Sequence, residues 1–140
     1  MVRRARKPDP REVVELRAGR RCEYCRAPQT ATGIRYHLEH VFPESLGWSD
    51  DVDTLALACP TCNYFKSNHL LGIDEEGSWR VGRYSIHGGT SGTNISSSIL
   101  RPSNSKGKTN TGKGTVNRLR MNNSIQLEAR RLWVELELYP

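Results

Sequence analysis

The chain has 140 residues and a mass of about 15.8 kDa, room for one compact domain and not for two independent ones. Apolar residues make up 36% of it and the mean hydropathy is -0.65, so the core is modest and needs support beyond burial, for which four cysteines are the obvious source. No apolar run reaches the ~18 residues of a membrane span. The start, MVRRARKPDP, is basic but lacks the apolar stretch of a secretory leader. These features point to a cytoplasmic, reducing compartment, where paired cysteines are metal ligands more often than disulfides. The net charge of +6 and a pI near 9.4 create a field that attracts polyanions such as nucleic acid. The charge is clustered: Arg3, Arg4, Arg6 and Lys7 form an N-terminal arm, and Arg17, Arg20, Arg21 and Arg26 surround the first cysteine pair. Lys106, Lys108, Lys113, Arg118 and Arg120 follow later. The plainer alternative is a solvated surface that keeps a small protein in solution.

In chain order, Asp9 and Glu12 stand at capping-box spacing with Pro10 at the first helical position, which predicts a helix through Val13, Val14 and Leu16 that stops at Gly19. The first cysteine pair lies in RRCEYCRAP, a turn closed by Pro28. Ile34 to Phe42 is rich in β-formers and ends at Pro43, so it reads as a strand. Gly47 to Asp53 is a polar loop and Thr54 to Ala58 a short apolar segment. A helix opens after Cys62. Apolar residues flank an Asp-Glu-Glu-Gly turn between Leu70 and Ile86, as in a hairpin. Gly88 to Thr115 is dominated by Gly, Ser, Thr and Asn and reads as a flexible loop. Beyond it Thr115 caps a terminal helix carrying Val116 and Leu119. Within that helix Ile125, Ala129, Leu132 and Leu136 form a stripe at i, i+4, i+7 and i+11, widened by Trp133, which reads as a face packed on the domain.

Cys22 and Cys25 form one CxxC and Cys59 and Cys62 another, together four thiolates for one tetrahedral zinc ion. Four sulfur ligands leave no open position, so such an ion is structural and its binding energy is folding energy. A redox pair or two disulfides are the alternatives; the inferred compartment and the paired spacing favour zinc. The gap between the pairs exceeds that of a simple zinc ribbon, so the intervening segment forms something of its own and returns to the same point.

That segment contains Tyr36-His37-Leu38-Glu39-His40-Val41-Phe42-Pro43, two histidines and a carboxylate within four positions, and Asn63 and Lys66 follow the second pair. Phosphodiester hydrolysis needs a hard cation on oxygen ligands and a base of near-neutral pKa to activate water. Glu39 and Asn63 offer the oxygens and His40 the base. The competing reading is a strand carrying ordinary, satisfied histidines.

CEYC, then HLEHVFPESLGWSDDVDTLALAC, then CNYFK resembles the HNH nucleases of the ββα-metal (His-Me finger) class, over residues 12 to 68. GKGTVNRLRMNNSIQLEARRLWVELELYP is similar to the tail of short stand-alone HNH proteins common in cyanobacteria. Residues 72 to 112 have no clear counterpart. The resemblance implies an α+β fold, a small zinc-stabilised ββα-metal core with flanking N- and C-terminal helices. It implies that His40 is the general base and that Glu39, where the family usually has Asp, binds the hydrolytic cation together with Asn63. That cation would be Mg²⁺ or Mn²⁺, with Ni²⁺ also used in the family. Thr54 stands where the family's middle Asn normally orients the histidine loop, and threonine can still donate and accept a hydrogen bond. His37 shares a strand face with Glu39 and suits a supporting role or a phosphate contact. Lys66 suits a contact to the DNA backbone or a cap on the site, and His69 is a weaker candidate.

The resulting expectation is a metal-dependent DNA endonuclease of bacterial or phage origin, a monomeric nickase of low intrinsic sequence specificity. It would use one structural zinc ion, one divalent cation and no organic cofactor. The alternatives are a catalytically weakened zinc DNA-binding module on the same frame, and a scaffold whose terminal helix docks a partner. The chain divides accordingly into a basic arm (1–8), a nuclease core (9–70), a hairpin (71–87), a flexible loop (88–114) and a terminal helix packed on the core (115–140).

Overall fold

A computed structural model describes residues 5–41, 51–67, 69, 71–74, 77–81, 95–97, 105–107 and 110–139. Helix α1 spans Pro10–Arg17, and the Asp9 side chain caps it by accepting from the Arg11 N–H at 3.0 Å, with Pro10 in the first turn. The chain leaves the helix through two left-handed residues, Gly19 (φ 61°) and Arg20 (φ 56°). Helix α1 buries Val14, while Leu16 remains 69% exposed. Arg11 bonds the Tyr36 carbonyl at 3.1 Å and so ties the helix to the strand that follows.

The first cysteine pair is a tight turn closed by backbone bonds, Cys22 N–H to Ala27 O at 3.0 Å and Arg26 N–H to Cys22 O at 2.9 Å. A short helix, α2 (Gln29–Thr32), ends at the left-handed Gly33. Strand β1 (His37–His40) then pairs antiparallel with β2 (Leu55–Ala58), in the register His37 to Ala58, Leu38 to Leu57, Glu39 to Ala56 and His40 to Leu55. A 3-10 turn at Val52–Thr54 delivers the chain into β2. Every residue of β2 is buried, so this strand is the floor of the core. Helix α3 (Pro60–Lys66) packs against both strands and completes a strand-strand-helix unit. It starts before Cys62, because Cys59 is its N-cap and Pro60 fits the first turn, so the second cysteine pair occupies the helix N-terminus. Of the strand expected over Ile34 to Phe42, residues 37–40 pair, and Phe42 lies outside the described residues.

A second layer follows. Strands β3 (Leu71–Asp74) and β4 (Gly77–Arg80) form the expected hairpin. Strands β5 (Ile95–Ser97) and β6 (Ser105–Gly107) pair inside the segment that composition marks as loop, whose remaining residues up to 109 lie outside the described ones. Backbone pairing can hold such polar segments in a ladder with little apolar burial of their own.

The terminal helix is two helices, α4 (Asn110–Arg118) and α5 (Ser124–Glu135), and the first begins ahead of Thr115. They part because Arg120 is left-handed (φ 48°) and Asn123 opens a new helix by accepting from the Gln126 N–H at 3.0 Å. Helix α4 lies on β3, β4 and β6 and sends Val116 into the core, joined by Leu119 just past its end. Its backbone approaches β3 so closely that a Cβ at Gly72 would stand 1.8 Å from Gly114 O. The stripe on α5 does not pack as expected: Ile125, Leu132 and Leu136 are 76%, 54% and 66% exposed. The inward face of α5 carries Arg130, which is buried and donates to Met121 O at 2.6 Å, and Trp133, which packs against the core. The fold is α+β, as the sequence implies. No described helix is long and apolar enough to cross a membrane.

Candidate active site and metal centre

The turn after α1 and the N-terminus of α3 converge on one point. The sulfurs of Cys22, Cys25, Cys59 and Cys62 all lie within 4.8 Å of one another, and all four residues are buried. Cys25 Sγ and Cys59 Sγ are 3.7 Å apart, close to the roughly 3.8 Å edge of a sulfur tetrahedron with ~2.3 Å bonds to zinc. The donor set therefore fits a structural zinc ion, with Cys59 Sγ also accepting from the Cys62 N–H at 3.4 Å. Hydrogen bonding of Cys62 with Cys22, Cys25 and Cys59, together with burial, pushes its thiol well above the ordinary pKa. Closely packed sulfurs resist ionising until a cation draws their protons off.

Three clamps hold this frame, and none is evident from spacing alone. Arg17 grips the Glu23 carboxylate with two bonds, at 2.9 and 2.7 Å, and also bonds the carbonyls of Val52 and Leu55 at 2.7 and 2.8 Å. Glu23 in turn accepts the Leu57 N–H at 3.0 Å, so α1, the first cysteine turn and β2 share one buried network. Arg21 reaches the Leu138 carbonyl at 2.7 Å and Tyr139 donates to Cys25 O at 3.1 Å, which fastens the C-terminal segment over the same turn. Arg26 is buried and bonds Ala18 O at 3.3 Å. Of the arginines read as a basic cluster around the first pair, Arg17, Arg21 and Arg26 thus serve the fold, while Arg20 is exposed.

On the other side of the ladder's end lies the polar group. Glu39 is mostly buried, and its Oε1 accepts a short hydrogen bond from Tyr24, the residue just before Cys25. Its Oε2 meets Lys66 Nζ at 3.2 Å, and the same ammonium bonds His40 O at 3.2 Å. Lys66 is 1% exposed, so it turns inward to the carboxylate and not outward to a phosphate backbone. Burial raises the Glu39 carboxyl above its ordinary pKa, and the Lys66 charge and the Tyr24 hydrogen bond pull against that rise. Burial and the Glu39 charge push the Tyr24 hydroxyl well up, which keeps it a donor.

His40 ends β1, half-buried, with Nε2 shielded from solvent. The next residue, Val41, donates its N–H to Thr54 O at 2.9 Å, and the Thr54 hydroxyl bonds Asp51 O at 2.8 Å. Thr54 therefore ties the end of the histidine strand to the turn before β2, through its own backbone. Asn63 sits one turn before Lys66 on α3, at a spacing that sets the two on one face of the helix. Among the described residues nothing hydrogen-bonds the Asn63 side-chain amide, and none links it to Glu39. His37 and His69 are exposed.

Glu39, His40 and Lys66 are thus brought together, Asn63 lies one helical turn from Lys66 on α3, and His37 is exposed. Tyr24 and the Arg17–Glu23 pair escaped sequence reasoning; an aromatic ring between two cysteine ligands was the one visible signal. For a hydrolytic cation, Glu39 and Asn63 are hard oxygen donors, and each Glu39 oxygen accepts one hydrogen bond and keeps a second lone pair, so the donor set fits such an ion.

No curated protein and no solved structure matches the chain. The family model described as HNH endonuclease matches residues 22–72, which hold all four cysteines, both strands of the β1–β2 ladder and α3. From the first cysteine turn to the start of β3, the chain is thus similar to the HNH endonuclease family, and that segment carries the four-cysteine centre.

Proposed function

We propose that the protein is a metal-dependent DNA endonuclease that hydrolyses phosphodiester bonds one strand at a time, with little sequence selectivity of its own. The observation that carries this reading is the convergence of Glu39, His40 and Lys66 at the strand-helix junction inside the segment that matches the HNH family model. Residues 9–70 form the nuclease core in this reading.

His40 takes the proton of the attacking water, and the bond from Val41 to Thr54 holds the strand end that carries its ring. Glu39 and Asn63 would hold the hydrolytic cation, Mg²⁺ or Mn²⁺, which when bound supplies charge stabilisation to the phosphate and the departing oxygen. Tyr24 fixes one oxygen of Glu39 and so sets the direction of the carboxylate. The exposed basic residues Arg6, Lys7, Arg20, Lys113 and Arg120 contribute phosphate contacts that carry no sequence information. One catalytic centre per monomer reaches one strand per encounter, hence the nick.

Supercoiled plasmid incubated with the zinc-loaded protein should convert to nicked circle with Mg²⁺ or Mn²⁺ and remain intact with EDTA. Salt should suppress binding steeply, as counterion release requires. Tight DNA binding without cation-dependent cleavage would instead identify a binding module on a nuclease frame.

A further inference from the structure

The mechanism above gives no part to a buried charge that touches the site. Lys66 is 1% exposed, its Nζ lies 3.2 Å from Glu39 Oε2, and it also bonds the carbonyl of His40, the residue assigned as the base. The other oxygen of the same carboxylate is taken by Tyr24. A lysine desolvated this completely is costly unless its charge is used. It bonds Glu39 directly and stands one turn from Asn63 on the same face of α3, the two residues that would hold the hydrolytic cation.

We infer that Lys66 is a positioning residue, a built-in cation that shares the Glu39 carboxylate with the divalent ion and sets how tightly that ion is held. Its ammonium draws off part of the carboxylate's charge, which weakens the hold on a divalent cation, and in return fixes Glu39 and the His40 backbone in one arrangement. The inference rests on the reading of the site as a metal-dependent nuclease. Electrostatics gives the direction: two cations on one carboxylate repel, so removing the fixed one strengthens the binding of the other. A lysine that served packing alone would leave metal affinity where it was.

The test is Mn²⁺ binding by electron paramagnetic resonance on zinc-loaded protein, comparing the parent with Lys66→Met and Lys66→Arg, with zinc content and circular dichroism confirming the fold. Lys66→Met should bind Mn²⁺ about tenfold more tightly than the parent and cleave plasmid more slowly at saturating Mn²⁺, whereas Lys66→Arg should keep the parent's affinity. Unchanged or weaker Mn²⁺ binding by folded Lys66→Met overturns the inference and leaves the nuclease reading standing if the parent still nicks. Should Lys66→Met fail to fold, the parent alone decides: the buried Lys66 ammonium signal in a nitrogen-proton NMR spectrum should shift as Mg²⁺ saturates the site. A signal that stays fixed throughout that titration overturns the inference. A parent that neither binds Mn²⁺ nor nicks overturns both readings.

Discussion

Arg17 supports more of the frame than any other single surface residue of α1. It neutralises Glu23, whose side chain is 5% exposed, and bonds two carbonyls on the segment leading into β2. Arg17→Ala leaves Glu23 buried without its partner, so the fold should lose about 3 kcal/mol, measurable by urea denaturation of the zinc-loaded protein. Lys at this position should recover only part of the loss, because it cannot make the two-pronged contact. At this scale the sequence was readable wherever the chemistry was local. The four cysteines announce themselves by spacing, and the Glu39–His40 pair and Asn63 are marked by the resemblance of their motif. Tyr24, the inward turn of Lys66 and the Arg17–Glu23 clamp join positions far apart in the chain or on different elements, and only the folded arrangement decides which partner each one meets. Lys66 shows the point: a lysine on a short helix reads as solvent-exposed until the helix face is known.

Among the elements, α1, β2 and the β3–β4 hairpin follow their sequence signals closely, and the segments around and after residue 95 do not. Helix α1 obeys Asp9 and Pro10, and β2 obeys its apolar run. The terminal stripe misleads, because periodicity marks an apolar face without saying whether anything covers it. Substitutions should separate the two helices. Leu119→Ala, at 1% exposure, should cost about 2 to 5 kcal/mol. Leu132→Ala on the outer face of α5, at 54% exposure, should stay within about 0.5 to 1 kcal/mol in the same denaturation series. Gly72→Ala tests the contact between β3 and α4: its new methyl would meet the Gly114 backbone, which must move, and the fold should lose roughly 1 to 3 kcal/mol. Equal costs for Leu119 and Leu132 would mean that the outer face of α5 is covered as fully as Leu119, against the exposure seen here.

For the molecule as a whole, the four-sulfur centre joins the first cysteine turn to α3 and, through Tyr139 and Arg21, to the C-terminal segment. A chelator that removes zinc should therefore unfold the domain cooperatively, and Cys59→Ser should do the same. The pH dependence has a definite sign. The Cys62 thiol is raised when no cation is bound, so zinc must displace protons to bind, and its apparent affinity falls as pH falls. Zinc release followed with a metal-sensitive dye should accelerate on acidification, and an affinity flat with pH would contradict the assignment. The central claim is that a zinc-held frame presents His40 as the base of a phosphodiesterase centre. The direct measurement is single-turnover cleavage of supercoiled plasmid by the parent and by His40→Ala, with DNA binding and zinc content followed in parallel. His40→Ala should lose about 100-fold or more in rate with binding and zinc unchanged, and cleavage at the parental rate would remove His40 from the role of base.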